Sequence, residues 1–215
     1  MYKAILFDLD GTLTESGEGI TKCVQYALEK LGKPEENLKK LEVFIGPPLK
    51  EQFMKYAGLD EETAVKAVKY YRERYSNVGI FENKPYPGVE NMLQELKRKK
   101  YILAVASSKP EDYVKQILDH FHLTEYFDEI VGSEMNGVRT NKTEVIEEAL
   151  ERIGMKKHRE QVVMVGDKEH DVFGAREAGL DCVAVSYGYG TTEELKEADP
   201  LQTVASADEL LDFFG

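Results

Sequence analysis

The sequence predicts an α/β protein with a doubly wound parallel sheet and an all-helical domain inserted after the first strand. Short apolar runs rich in β-branched residues alternate with longer helical patterns over most of the chain. This alternation is typical of a doubly wound sheet. It is interrupted between residues 15 and 85, where helical patterns occur without a convincing strand. We therefore expect residues 1–14 and 86–215 to form the α/β core and residues 15–85 to form a helical insert.

The elements of the core follow from the apolar runs and the patterns between them. Four runs of four or five residues are predicted as buried strands, with a fifth short strand near the end: 4–7, 102–106, 162–165, 182–185 and 203–205. Helices are predicted between or after them: 89–99, 113–121, 143–153, 172–178 and 207–214. The insert contains three more helical patterns, bounded by glycine and proline: 20–31, 49–57 and 62–75.

Composition narrows the class of protein. The 215 residues include 28 Lys and Arg against 40 Asp and Glu, a formal net charge of −12, which disfavours binding to nucleic acid. The first apolar run is too short for a signal peptide, and no stretch approaches membrane-spanning length. Cys23 and Cys182 lack metal-ligand spacing and suggest free thiols in a reducing compartment. We therefore expect a cytoplasmic protein without nucleic-acid or membrane partners, as a monomer or weak homodimer.

Polar side chains follow three of the apolar runs, where the predicted strands end. They are Asp8, Asp10, Gly11 and Thr12 after the first run, Ser107 and Ser108 after the second, and Asp167 and Asp171 after the third. Lys142 lies at the start of the helix predicted between the second and third of these runs. In open α/β sheets, ligands bind at the carboxyl ends of the strands. Lys109 and Arg139 are alternatives to Lys142, and Ser108 is an alternative to Ser107. These residues predict a site that combines carboxylates, a hydroxyl group and an ammonium group.

Phosphoryl transfer explains this combination of residue types. An aspartate can attack phosphorus directly, and a second acid can protonate the leaving oxygen and later activate water. Two acids at the end of a buried strand repel each other and the substrate unless a cation is present. Mg²⁺ suits this role because it takes carboxylate oxygens and binds phosphate.

The segment Asp8-Leu9-Asp10-Gly11-Thr12 resembles the first signature of haloacid dehalogenase-like hydrolases, D-x-D-G-T. Ser107 and Lys142 are similar to the second and third signatures, and the pattern from Gly166 to Asp171 is similar to the fourth, G-D-x-x-x-D. The resemblance covers essentially the whole chain and implies a Rossmann-like core with a small helical cap. The insert resembles the cap of the branch that contains phosphoglycolate phosphatases and nucleoside 5′-monophosphate phosphatases. Lys168, where many relatives have Ser or Thr, slightly favours the nucleotidase-like members.

The resemblance also implies a role for each site residue. Asp8 is expected to be the nucleophile and Asp10 the general acid and base. Asp8, Asp10, Asp167 and Asp171 are expected to hold or support Mg²⁺, with Asp10 acting through its backbone carbonyl. Gly11, Thr12, Ser107, Ser108 and Lys142 are expected to bind the phosphoryl group.

Together these features predict a Mg²⁺-dependent phosphatase acting on a small phosphorylated metabolite through a phospho-aspartate intermediate. A sugar phosphomutase resembling β-phosphoglucomutase and a pyrophosphatase remain alternatives, since they use the same core. A regulatory protein that only binds a phosphorylated ligand is the alternative outside the enzymes. Such a protein would have no need for Asp10.

Overall fold

The computed structural model describes residues 2–215. Contacts divide the chain into two compact units, one formed by the residues up to Thr14 with Pro85–Gly215, the other by Glu15–Lys84. Nine α-helices and six strands are assigned among the described residues. None of the helices of residues 2–215 combines the length and apolar character needed to cross a bilayer.

The first unit contains one parallel sheet of six strands in the order β3-β2-β1-β4-β5-β6. The strands are β1 (Ala4–Phe7), β2 (Ile102–Pro110), β3 (Glu129–Ser133), β4 (Val162–Gly166), β5 (Asp181–Val185) and β6 (Gln202–Val204). The helices of this unit are α4 (Val89–Arg98), α5 (Glu111–His120), α6 (Lys142–Arg152), α7 (Glu169–Glu177), α8 (Thr192–Ala198) and α9 (Ala207–Phe213). This architecture confirms the predicted doubly wound α/β core.

The first strand lies near the middle of the sheet and is buried along its whole length. Phe7 is level with Val105 of β2 on one side and with Val165 of β4 on the other. The residues that follow these three strands therefore meet at one edge of the sheet. That edge holds the polar residues singled out in the sequence.

The second unit is all-helical. It contains α1 (Gly17–Lys30), α2 (Leu49–Tyr56) and α3 (Glu61–Tyr75), with short 3₁₀ helices at Leu38–Phe44 and Gly79–Phe81. Its interior combines aliphatic side chains with aromatic contacts, including the stacked rings of Tyr71 and Tyr75 at 5.1 Å between centroids. The prediction of an all-helical insert after the first strand is confirmed.

Two core elements were absent from the sequence prediction. Strand β3 lies at the edge of the sheet and has only two large apolar residues, Ile130 and Val131, so its apolar run was too short to be recognised. Helix α8 was also missed, although Thr191 and Glu194 form a capping box at its start. The remaining predicted elements are present, with ends shifted by up to four residues.

Candidate active site

The loop that follows β1 holds two buried carboxylates. Asp8 and Asp10 are 5% and 6% exposed. The Asp8 N–H donates to Val165 O at 2.9 Å, so the pairing of β1 with β4 continues to this residue. Gly11 then adopts φ +88°, and a Cβ atom there would lie 2.2 Å from Asp167 Oδ2. The glycine is therefore needed both for the turn and for the approach of Asp167.

Three carboxylates meet at this edge of the sheet. Oxygen atoms of Asp8, Asp167 and Asp171 all lie within 4.8 Å of one another, and all three residues are buried. Burial, followed by the charges of Asp171 and Asp8, raises the pKa of Asp167 well above its usual range. Burial and the charge of Asp8 also raise the pKa of Asp171, although Lys142 opposes them. The cluster concentrates negative charge that a cation would neutralise.

Lys142 bridges two members of this cluster. Its Nζ lies 2.9 Å from Asp8 Oδ1 and 2.8 Å from Asp171 Oδ1, and it donates to Ala106 O at 3.0 Å. Burial alone would lower the pKa of Lys142, but the charges of Asp171 and Asp8 outweigh it and raise that pKa. The ammonium group is therefore held in its charged form between the two carboxylates.

Local structure fixes the path of this lysine. Lys142 is the first residue of α6, and Asn141 and Glu144 form a capping box at that end of the helix. Gly174 of α7 lies against the stem, since a Cβ atom there would be 2.7 Å from Lys142 Cγ. A larger residue at position 174 would push the stem aside.

Asp171 also caps the helix that carries it. Its Oδ2 accepts the N–H groups of Asp167 and Lys168, both at 3.1 Å. A carboxylate at the start of α7 complements the helix dipole. The Asp171 carboxylate thus orders the loop at Asp167 through Oδ2 and pairs with Lys142 through Oδ1.

The predicted phosphate-binding residues lie at the same edge of the sheet. Ser107 is buried near the end of β2, and its Oγ accepts the N–H of Lys109 at 3.4 Å. Ser108 is more exposed than Ser107. The Thr12 hydroxyl donates to Asp167 Oδ1 at 3.3 Å and so contacts a predicted metal ligand. The phosphate-binding roles of these residues and of Gly11 stay predictions.

A second buried lysine contacts Asp10. Lys109 Nζ lies 2.9 Å from Asp10 Oδ2, and each side chain is 7% exposed. The sequence offered Lys109 only as an alternative to Lys142. The structure brings both lysines into the site, each on different carboxylates. By contrast, Arg139 pairs with Glu111 and Glu148 on the helices at the β3 side of the sheet.

The loop after β5 completes the site and was missed in the sequence. The N–H of Tyr189 donates to Asp167 Oδ2 at 2.7 Å, and the hydroxyl of Tyr187 donates to Thr12 O at 3.0 Å. A Cβ atom on Gly188 would lie 2.3 Å from Asp167 Cβ, and one on Gly190 would lie 2.0 Å from Asp167 O. The alternating glycines directly after an apolar strand were the signal for this close approach.

The chain is similar to known proteins in both sequence and structure. The family model for the haloacid dehalogenase-like hydrolases matches residues 5–185. A 5′-nucleotidase from Pseudomonas aeruginosa is 44% identical over 199 residues, covering 93% of this chain and 89% of that protein. The crystal structure of a protein described as a predicted phosphatase from Clostridium acetobutylicum is 48% identical, with a TM-score of 0.96 and coverage of 100% of this chain and 98% of that one.

Another relative has a different name. The tyrosine-protein kinase PtkA from Mycobacterium tuberculosis is 36% identical over 213 residues, covering 98% of this chain and 72% of that protein. The family match spans most of the chain and contains the site residues from Asp8 to Asp171, while the loop after β5 lies beyond it. The chain therefore belongs to the haloacid dehalogenase-like hydrolase family, and it is a phosphatase of that family.

Proposed function

We propose that this phosphatase hydrolyses small phosphomonoesters in a Mg²⁺-dependent reaction that passes through a phospho-aspartate on Asp8. A nucleoside 5′-monophosphate is the first candidate substrate. The observation that carries the proposal is the buried cluster of Asp8, Asp167 and Asp171 with Lys142 paired to two of them.

The donor set fits a divalent cation. The site contains four buried carboxylates, and Lys109 and Lys142 supply two ammonium groups in contact with three of them. The carboxyl groups outnumber the ammonium groups by two, so a cation bound among them would offset the excess negative charge. Asp8 and Asp167 would hold the ion with the backbone carbonyl of Asp10, and Asp171 would support it. When bound, the ion would offset the repulsion between the Asp8 carboxylate and the substrate phosphate.

In the first half of the reaction, a carboxylate oxygen of Asp8 attacks phosphorus. The bond between phosphorus and the ester oxygen breaks, and Asp10 gives its proton to that oxygen. Lys142 lies beside Asp8 Oδ1 and is proposed to contact the oxygens of the transferring group, together with Ser107. The alcohol leaves, and Asp8 carries the phosphoryl group.

In the second half, water attacks the phosphorus of the phospho-aspartate. Asp10 takes the proton from this water, and the bond between phosphorus and the Asp8 oxygen breaks. Inorganic phosphate and the Asp8 carboxylate are released, and Asp10 is again protonated for the next cycle. The two halves together consume one ester and one water.

Two features support a nucleoside monophosphate as the substrate. The relative from Pseudomonas aeruginosa that is 44% identical is named a 5′-nucleotidase. Lys168, which follows the first aspartate of the fourth signature, favours the nucleotidase-like members of the family. We propose that the all-helical unit, Glu15–Lys84, acts as a cap that selects the leaving group. Nucleoside monophosphates should therefore outperform phosphoglycolate.

The test is phosphate release from a panel of phosphorylated compounds, with Mg²⁺ or with EDTA. The panel contains nucleoside 5′-monophosphates, phosphoglycolate, sugar phosphates and pyrophosphate. We expect Mg²⁺-dependent release that is lost in Asp8→Ala and kept in Asp212→Ala, a matched change of an exposed aspartate on α9. Borohydride should trap the intermediate and reduce residue 8 to homoserine, which a peptide mass identifies.

Release that persists in Asp8→Ala would overturn the proposed nucleophile. Release that is unchanged in EDTA would overturn the metal dependence. Interconversion of sugar phosphates without phosphate release would instead favour the mutase alternative.

A further inference from the structure

The structure contains a buried lysine that the proposed mechanism leaves without a role. We propose that Lys109 is a positioning residue for Asp10, which it holds in place for proton transfer to the leaving oxygen and from water. This inference rests on the proposed function, because it assigns Asp10 the role of general acid and base.

The contact is asymmetric in a way that suits this role. Asp10 Oδ2 lies 2.9 Å from Lys109 Nζ, whereas Asp10 Oδ1 is buried and has no hydrogen-bond partner among residues 2–215. A buried carboxylate oxygen without a partner is costly unless a ligand supplies one. One oxygen is thus fixed by the lysine, and the other is available to the substrate oxygen or to water.

The backbone around Lys109 directs it to this contact. The register of β2 with β3 shifts between Ala106 and Pro110, so the strand is irregular where Lys109 lies. The N–H of Lys109 donates to Ser107 Oγ at 3.4 Å, and Pro110 follows it. A residue before proline is restricted to extended backbone. The direction of the Lys109 side chain is therefore constrained from both sides.

The two lysines of the site divide the carboxylates between them. Lys142 pairs with Asp8 and Asp171, whereas Lys109 pairs with Asp10. Lys142 is thus placed to act on the nucleophile and the phosphoryl group. Lys109 is placed on the residue that moves protons.

The test separates proton transfer from binding by the choice of leaving group. With p-nitrophenyl phosphate, formation of the phospho-aspartate needs no acid, because p-nitrophenolate leaves readily. Hydrolysis of the phospho-aspartate still needs Asp10 as a base. With a nucleoside 5′-monophosphate both halves need Asp10. The experiment uses the full-length, Mg²⁺-saturated enzyme and compares Lys109→Met with wild type and with Asp10→Asn.

We expect Lys109→Met to release about one p-nitrophenolate per active site in a burst, followed by turnover about 100-fold slower than in wild type. With the nucleoside monophosphate, kcat should fall by about 100-fold and KM should change by less than about 3-fold. Asp10→Asn should show the same pattern. The double variant Lys109→Met with Asp10→Asn should be no slower than Asp10→Asn alone, because the two residues act as one unit.

Matched variants separate this effect from misfolding. Lys115→Met removes an exposed lysine that pairs with Glu111 one turn earlier on α5 and should keep wild-type kinetics. Lys109→Arg keeps the charge and should recover part of kcat. If Lys109→Met has a lowered melting temperature, Lys109→Gln replaces it in the same assays.

Several results would overturn the proposal. A raised KM with unchanged kcat would mean that Lys109 binds the substrate. Equal losses on both substrates without a burst, or a further loss in the double variant, would mean that Lys109 acts independently of Asp10. If wild type itself releases no phosphate from either ester, the proposed function fails, and this result differs from failure in Lys109→Met alone.

Discussion

Lys142 Nζ lies 2.9 Å from Asp8 Oδ1 and 2.8 Å from Asp171 Oδ1, and therefore links the loop after β1 to the start of α7. The lysine is buried, so its removal would leave two buried carboxylates without their cation. Breaking a buried ion pair by removing one partner is strongly destabilising, whereas an exposed pair contributes little. The bridge therefore has consequences for both stability and chemistry.

We expect Lys142→Met to lower the free energy of unfolding of the metal-free protein by about 3–5 kcal/mol. Urea unfolding in EDTA measures this. The variant should also lose at least about 100-fold in kcat for phosphate release, since it removes a charge beside Asp8, the proposed nucleophile.

The matched control is Lys97→Met, which removes a more exposed pair between Lys97 and Asp128 at 2.8 Å. It should cost less than about 1 kcal/mol and leave kcat unchanged. A stability loss in Lys142→Met no larger than in Lys97→Met would contradict the bridging role.

Much of this site could be predicted because its residues follow buried strands directly. The runs before Asp8 and Asp167 are uniformly apolar and match β1 and β4 within one residue. The parallel arrangement then brings the two ends together. Strand periodicity and the position of a polar residue after it are both local properties, so a single sequence contains them.

The pairing of each lysine with its particular carboxylates could not be predicted in the same way. Lys109 and Lys142 both lie near predicted strand or helix ends, and no local pattern distinguishes their carboxylate partners. Asp10 lies 99 residues before Lys109 in the sequence, and Asp8 lies 134 residues before Lys142. The loop after β5 was missed for a related reason, since its contact with Asp167 uses the N–H group of Tyr189. The identity of residue 189 does not reveal a backbone donor, so the glycines on either side of it were the only sequence signal for this contact.

Asp167 should make the stability of the metal-free protein depend on pH. Burial, followed by the charges of Asp171 and Asp8, raises its pKa well above the usual range, whereas in the unfolded chain the pKa is about 3.9. Between these two values the folded state binds more protons than the unfolded state. Its contribution to stability is therefore full below about pH 3.9 and falls as the pH rises through the raised value.

We expect Asp167→Asn to stabilise the metal-free protein at neutral pH, because it removes a buried carboxyl group whose pKa is raised by burial and by the charges of Asp171 and Asp8. This advantage should shrink as the pH falls towards about 4. Thermal unfolding in EDTA at a series of pH values measures it, with Asp212→Asn as an exposed control that should change stability by less than about 0.5 kcal/mol.

Saturating Mg²⁺ should make wild type more stable than Asp167→Asn. Ligand at 100 times its dissociation constant stabilises the folded state by about 2.7 kcal/mol, and only wild type retains all the carboxylates proposed to hold Mg²⁺. An Asp167→Asn protein that is less stable than wild type in EDTA at neutral pH would show that burial and repulsion at this carboxylate do not destabilise the folded protein.

Gly188 should be intolerant of a side chain. A Cβ atom there would lie 2.3 Å from Asp167 Cβ and 2.4 Å from both Asp167 Oδ2 and Gly11 O. The neighbours include backbone, so the clash cannot be relieved by moving one side chain. We expect Gly188→Ala to displace Asp167 and to weaken Mg²⁺ binding by at least about 10-fold, measured by calorimetry.

Gly154→Ala is the control for this glycine. Gly154 has φ +71° and no atom within 4 Å of an added Cβ, so the change costs about 1 kcal/mol of backbone strain without touching the site. Its Mg²⁺ affinity should equal that of wild type. Equal affinities in all three proteins would refute the role assigned to the close approach of Gly188.

Tyr187 should hold the loop after β1 through a single hydrogen bond. Its hydroxyl donates to Thr12 O at 3.0 Å, and burial and the charge of Asp167 raise the pKa of this phenol, which keeps it protonated. Tyr187→Phe removes the donor but keeps the ring that packs on Tyr86 at 4.7 Å between centroids. We expect a loss of about 1 kcal/mol in the free energy of unfolding and a fall of about 3- to 10-fold in kcat.

The chain provides a matched comparison in Tyr101, whose hydroxyl donates to Phe214 O, also at 3.0 Å. Tyr101→Phe should lose a similar free energy of unfolding, since the same kind of hydrogen bond is removed. It should keep wild-type kcat, because its acceptor belongs to the C-terminal end of the chain and not to the loop that contains Asp8 and Asp10. If both variants lose stability and neither loses kcat, the hydroxyl of Tyr187 stabilises the fold without positioning the catalytic loop.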